Sequence, residues 1–115
     1  MEEWTYEELK EAIYEDIQEF KNDNYLNSQI AGRCFYEYTT VILEGYTESV
    51  LIHTIIGDYI IKECSEDTLK FHSDQISANL RNYSREKLDG SLNELEIKEL
   101  EININEILNK IQSLI

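Results

Sequence analysis

The sequence contains no proline and only four glycines among its 115 residues. Proline interrupts helices and glycine supplies the backbone conformations of tight hairpin turns, so the chain has few helix breakers and few residues suited to hairpins. We therefore predict an all-α protein. Hydrophobic residues make up 42% of the chain, which is enough for one packed core, and residues 1–115 are expected to form a single domain.

Cysteines and long apolar runs are also scarce. Cys34 and Cys64 are too few for a disulfide framework and lack metal-site spacing, which fits a reducing compartment. No stretch approaches the roughly 20 apolar residues of a membrane span, and the acidic N-terminus is unlike a secretory signal. We expect a cytoplasmic protein with no membrane contact.

The sequence also lacks a recognisable catalytic apparatus. It has no glycine-rich phosphate loop, nucleophile elbow or cysteine in a catalytic setting. His53 and His72 have no second strong ligand at helical spacing, so we interpret them as separate structural side chains. Asp16 with Glu15 or Glu19 could hold a divalent ion, but carboxylate pairs discriminate poorly in a chain with 24 acids. We predict no enzyme activity, no catalytic residues, no metal and no cofactor.

Cationic residues are in short supply as well. Ten Lys and Arg oppose 24 Asp and Glu, which gives a formal net charge of -14. Half of the imbalance lies in the first 25 residues, where nine carboxylates accompany two lysines. Nucleic-acid binding is disfavoured, because phosphates require basic side chains. A concentrated acidic surface instead favours a cationic partner.

The first helix has both a start signal and an apolar stripe. Thr5 and Glu8 match a capping box, and Trp4 with Leu9 matches the accompanying hydrophobic staple. Hydrophobic residues then recur on one face to about Asn22. This stripe consists of Leu9, Ile13, Ile17 and Phe20. The other faces carry like charges at four-residue spacing, Glu11, Glu15 and Glu19, whose repulsion costs on the order of a few tenths of a kcal/mol per pair.

The second and third predicted helices are separated by a glycine. We expect the second to run from a cap at Asn27 or Ser28 to a stop at Gly45. Thr47 is the predicted cap of the third, which contains the apolar segment 50–61. That segment is expected to be central in the fold, although its Ile, Val, Thr and Tyr content also suits a β-strand.

Two further helices complete the predicted fold. Ser65 is the expected cap of the fourth helix, which ends before Asp89, and Ser91 with Glu94 repeats the capping-box pattern for the last. Short loops between amphipathic helices predict a compact bundle of about five helices.

The segment Asn27–Tyr38, Asn-Ser-Gln-Ile-Ala-Gly-Arg-Cys-Phe-Tyr-Glu-Tyr, is the most distinctive part of the chain. Arg33 is its only cation, and with Glu37 one turn later we interpret it as a structural ion pair between neighbouring helices. Gly32 weakens a helix by about 1 kcal/mol relative to alanine, which predicts a close helix crossing. Tyr36 and Tyr38 lie on different faces, so one is expected at the surface, as in an interface hot spot.

The sequence resembles a family of bacterial polymorphic-toxin immunity proteins over about residues 4–60. The resembling residues are Trp4-Thr5-Tyr6 with Glu8-Leu9, then Ile13-Tyr14-Glu15-Asp16, then Asn27 to Arg33 and Phe35 to Tyr38. The resemblance implies a small cytoplasmic protein, a single helical immunity-type domain, that binds and neutralises a cognate toxin, commonly a nuclease.

The acidic surface agrees with this implied role, because nuclease domains hold phosphates with basic groups that an acidic partner can cover. As a hypothesis, one set of residues faces the toxin: Glu11, Glu15, Asp16, Glu19, Tyr36 and Glu37. Trp4, Gly32 and Arg33 are expected to support the fold.

Three other readings stay open at this point. In the first, the chain is a structural or regulatory helical module whose acidic residues only form a solvated face. In the second, it is a nucleic-acid mimic that blocks DNA-binding proteins in general. The third, a metal-dependent enzyme, ranks behind both. The apolar end of the chain at Leu114 and Ile115 leaves both a monomer and a dimer open.

Overall fold

The computed structural model describes residues 5–114, and within this range it contains six α-helices, one short 3-10 helix and no strand. The α-helices are α1 (Tyr6–Asn22), α2 (Asn27–Glu37), α3 (Thr39–Ile42), α4 (Tyr46–Glu63), α5 (Glu66–Leu80) and α6 (Glu94–Gln112), and the 3-10 helix covers Arg85–Lys87. The all-α prediction is confirmed. The segment 50–61 is helical, so the β-strand alternative is wrong.

Helix α4 forms the centre of the bundle, as its apolar sequence predicts. Every residue from Val50 to Ile60 is buried, and α4 contacts α1, α2, α3, α5 and α6. A helix that is apolar on all sides is expected to be surrounded by other elements. The amphipathic helices α1, α2, α5 and α6 contribute their apolar stripes to the same core.

The close helix crossing lies at Gly57 and not at Gly32. A Cβ atom on Gly57 would lie 3.0 Å from Cδ1 of Ile107, where α4 packs against α6. A Cβ on Gly32 would meet no atom within 4 Å. The prediction of a crossing at Gly32 is therefore wrong, since both glycines are helical but only Gly57 faces a neighbouring helix.

Two predicted helix starts are confirmed. The Thr5 hydroxyl accepts a hydrogen bond from the Glu8 backbone N–H at 3.1 Å, and the Glu8 carboxylate accepts one from the Thr5 N–H at 3.3 Å. Ser65 caps α5 by accepting from the Thr68 N–H at 3.3 Å. Trp4, the expected staple residue, lies outside the described residues.

The predicted cap of α2 at Asn27 or Ser28 is wrong. Leu26 occupies the cap position, and its N–H donates to the Gln29 side chain at 2.9 Å. The Asn27 amide instead donates to the Glu63 carbonyl at 3.0 Å, and its side-chain oxygen accepts from the Tyr59 hydroxyl at 3.0 Å. Asn27 thus fastens the end of α4, which satisfies a carbonyl that the helix leaves without an internal partner.

The other two predicted caps, at Thr47 and at Ser91, are wrong. Gly45 is the cap of α4, and the Thr47 hydroxyl accepts from the Asp89 N–H at 2.9 Å instead. Helix α6 begins two residues later than its predicted signal, with a capping box made by Asn93 and Glu96. Helix α5 ends at Leu80, well before Asp89, so the connection is longer than predicted.

A break at Tyr38 divides the predicted second helix into α2 and α3. The Thr39 hydroxyl donates to the carbonyls of Phe35 and Tyr36 at 3.0 and 2.9 Å. Such local bonds offer helix carbonyls an alternative to the regular backbone ladder. Helix α2 therefore ends at Glu37, and α3 makes its own contact with α4.

Candidate partner-binding surfaces

The clearest charged surface is the α1 acidic row, defined here as Glu11, Glu15 and Glu19. All three side chains are exposed because the buried stripe of α1 faces the core on the opposite side. Within residues 5–114, none of the three makes a hydrogen bond or an ion pair. Their charges therefore contribute nothing to folding contacts and are available to a partner.

Asp16 differs from the α1 acidic row although it was predicted to act with it. It is half-buried, and its Oδ2 accepts a hydrogen bond of 2.7 Å from the Tyr38 hydroxyl. Burial and this bond to Asp16 raise the pKa of Tyr38, so Tyr38 stays a donor. Asp16 joins α1 to the end of α2 and has less freedom to meet a partner.

The two tyrosines at the end of α2 separate as predicted. Tyr36 is 75% exposed and Tyr38 is 8% exposed, which confirms that one of them reaches the surface. Glu37 is also exposed and has no ion-pair partner among the described residues. Tyr36 therefore has the exposure that a contact residue needs.

Arg33 makes a different set of contacts from the predicted ion pair with Glu37. Its guanidinium lies 5.1 Å from the Tyr25 ring centroid and 5.7 Å from that of Phe20, and it donates to the Tyr25 hydroxyl at 2.8 Å. No carboxylate within residues 5–114 pairs with it. The ion-pair prediction is wrong, because aromatic rings from the last turn of α1 and from the α1–α2 connection hold the guanidinium instead.

A groove between α2 and α5 lies beside Arg33 and Tyr36. This α2–α5 groove, of about 700 Å³, is lined by Tyr25, Ser28, Gln29, Gly32, Arg33, Tyr36, Phe71 and His72. Phe71 is 81% exposed at one side of it. Sequence reasoning missed Phe71, although its position two residues after the buried Leu69 places it off the apolar stripe of α5. The signal in the sequence was a large aromatic residue on the face of the helix that is expected to contact solvent.

The sequence of this acidic helical bundle matches a known protein family. The family described as Immunity protein Imm3 matches residues 2–114, nearly the whole chain. The chain belongs to the Imm3 family of immunity proteins. Comparisons with curated proteins and with solved structures give no match. Membership confirms the resemblance to an immunity protein family and implies that this Imm3 protein has a cognate toxin as its partner.

Outside these surfaces, the described part of the Imm3 chain holds no group of three or more His, Cys, Asp or Glu side chains able to bind a metal. The His53 Nδ1 lies 2.7 Å from the Ser49 carbonyl, which only accepts, so Nδ1 carries the proton and Nε2 accepts from Gln75 at 3.1 Å. Burial lowers the pKa of His53, which favours this neutral form.

The second histidine of the Imm3 chain, His72, lies below the surface of the α2–α5 groove. Its ring packs 5.2 Å from Phe35 and 4.9 Å from Phe71, measured between ring centroids. Burial lowers its pKa as well. Both histidines contact Phe35, which places them together at the contact of α2, α4 and α5 although the sequence separates them.

A buried carboxylate occupies a separate pocket between α1, α4 and α6 of the Imm3 protein. Asp58 is 8% exposed, and its Oδ2 accepts from the Lys62 ammonium at 2.9 Å. Its Oδ1 is the one fully buried side-chain polar atom within residues 5–114 that has no partner. Lys62 is therefore the group that compensates this charge. In the same described range, no helix has the length and apolar character needed to cross a membrane.

Proposed function

We propose that this Imm3 protein binds a cognate bacterial toxin in the cytoplasm and neutralises it by stoichiometric occlusion, and that the toxin is a basic nuclease domain. The observation that carries the proposal is the α1 acidic row, whose three carboxylates are exposed and have no partner in the described chain. Tyr36 and Glu37, both exposed, are proposed to extend the contact, and Asp16 to contribute at its edge.

The cost of the α1 acidic row supports a binding role. Like charges at four-residue spacing destabilise a helix, and each step of the row is about 6 Å along the helix axis. A linear array of negative charge matches a surface that holds a phosphate backbone with Lys and Arg. The attraction also accelerates association, because the net charge of -14 steers a basic domain toward the protein.

The proposed inhibition is tested by titrating toxin activity. We expect the neighbouring upstream gene to encode a large secreted protein, and its purified C-terminal domain, assayed on DNA and RNA, is the probe. We expect a 1:1 complex in size-exclusion chromatography with light scattering, and complete loss of nuclease activity at one equivalent of this protein. Persistent activity at excess, or inhibition by far less than one equivalent, would contradict stoichiometric occlusion.

A nucleic-acid mimic is the second candidate, and the same linear charge array favours it. A mimic inhibits many unrelated basic proteins, whereas an immunity protein inhibits one. The titration is therefore repeated with several unrelated basic nucleases at equal concentration. Inhibition of the whole panel would favour the mimic, and binding to neither toxin nor panel would favour a regulatory helical module.

A further inference from the structure

The α2–α5 groove has no acidic residue in its lining, although the protein as a whole is strongly acidic. None of its lining side chains is a carboxylate, although the chain has 24 of them, and Arg33 is its one permanent charge. Tyr36 and Phe71 expose their rings beside it. Arginine, tyrosine and phenylalanine at an exposed site are the residue types enriched in protein interfaces. The groove therefore suits a different chemistry from the α1 acidic row.

Gly32 keeps this groove open. Glycine is a poor helix former relative to alanine, yet a Cβ atom here would meet nothing within 4 Å. Packing within the described chain therefore does not require glycine at position 32, whereas the contact with Ile107 does restrict the side chain at Gly57. Because Gly32 lines the groove, any larger side chain would occupy part of its volume.

His72 adds a polar side chain to the lining of the groove. It is 7% exposed, and its ring nitrogens have no hydrogen-bond partner within residues 5–114. The one fully buried side-chain polar atom without a partner in the described chain belongs to Asp58, so solvent still reaches the His72 nitrogens and satisfies them in the free protein. The neutral ring offers one donor and one acceptor to a group that enters the groove.

We propose that the α2–α5 groove binds an apolar or aromatic side chain of the cognate toxin that is adjacent to a carboxylate. The apolar side chain lies over Gly32 between Tyr36 and Phe71, and the carboxylate pairs with Arg33. This inference rests on the proposed function and adds a second contact of opposite charge to the α1 acidic row. A second copy of this chain is a poorer occupant, because two molecules of charge -14 repel each other.

The test compares variants that change the groove, using the purified toxin domain of the titration above. Gly32→Leu fills the groove, Gly32→Ala fills it least, and Arg33→Gln removes its charge. Ala78→Leu is the matched control, since it adds bulk at another exposed helical position. Circular dichroism and thermal melting establish that each variant is folded.

We expect Gly32→Leu and Arg33→Gln to weaken toxin affinity at least about tenfold in titration calorimetry, while Ala78→Leu keeps wild-type affinity. Wild-type affinity in folded Gly32→Leu would overturn the groove proposal and leave the proposed function standing. A wild-type dimer that Gly32→Leu converts to a monomer would also overturn it, because the groove would then be a self-interface. If wild-type protein fails to bind the toxin domain, both proposals are wrong.

Discussion

The Tyr38 hydroxyl donates a hydrogen bond of 2.7 Å to the Asp16 carboxylate and thereby joins α2 to α1. We predict that Tyr38→Phe lowers the free energy of unfolding by about 1 kcal/mol, because the net contribution of such a bond has that size. Tyr36→Phe is the matched control, since the Tyr36 side chain is exposed and its hydroxyl has no partner among residues 5–114. Equal urea midpoints for the two variants would show that the bond contributes nothing.

The two helical glycines are predicted to respond in opposite directions. Gly32→Ala stabilises the protein by up to about 1 kcal/mol, because alanine favours helix and meets no atom here. Gly57→Leu destabilises it by about 1–3 kcal/mol, because the new side chain overlaps Ile107. Thermal melting followed by circular dichroism measures both. A Gly57→Leu variant as stable as wild type would contradict the packing of α4 against α6.

Lys62 is predicted to stabilise the fold through the buried Asp58. Replacement by methionine leaves both Asp58 oxygens without a protein partner, which we expect to lower the free energy of unfolding by about 1–3 kcal/mol. Lys70→Met on α5 is the control, because Lys70 is exposed and pairs with no acid in the described chain. Similar urea denaturation curves for the two variants would contradict this prediction, because they would show that water can replace the Lys62 ammonium beside Asp58 with no loss in the free energy of unfolding.

The two buried histidines are predicted to make the protein less stable as the pH is lowered. Burial lowers the pKa of His53 and of His72, so below about pH 6.5 these two histidines bind more protons in the unfolded chain than in the folded one. The free energy of unfolding then decreases from about pH 6.5 downward, by at most about 1.4 kcal/mol per pH unit for each histidine. Urea unfolding at pH 7.5, 6.5 and 5.5 measures this slope, and His53→Gln should reduce it. A flat profile over this range would contradict neutral buried histidines.

Local signals predicted some of the fold because they act over one helical turn. The Thr5–Glu8 capping box and the Ser65 cap involve residues three apart, and the sequence displays both. Asn27 carries an equally good local signal, yet it is used by Tyr59 and Glu63 on α4. A single sequence does not reveal which distant group will compete for such a side chain.

For the candidate site, as for the fold, the sequence predicted local features but not contacts between helices. Helical spacing alone placed Glu11, Glu15 and Glu19 at the surface and separated Tyr36 from Tyr38. The partners of Arg33 and the position of Gly32 in the α2–α5 groove were not predictable, because they depend on how α1 and α5 lie beside α2. Phe71 joins the groove only through that packing.

The association rate with the purified toxin domain, measured across salt concentrations, tests the central claim most directly. We predict that the triple variant Glu11→Gln, Glu15→Gln and Glu19→Gln associates at least about tenfold more slowly at low salt, and that the difference shrinks as salt screens the charges. The matched control removes the same number of charges elsewhere, through Asp74→Asn, Glu86→Gln and Glu106→Gln, all exposed. This control should associate much closer to the wild-type rate. Equal rates for the two triple variants at every salt concentration would contradict recognition through the α1 acidic row.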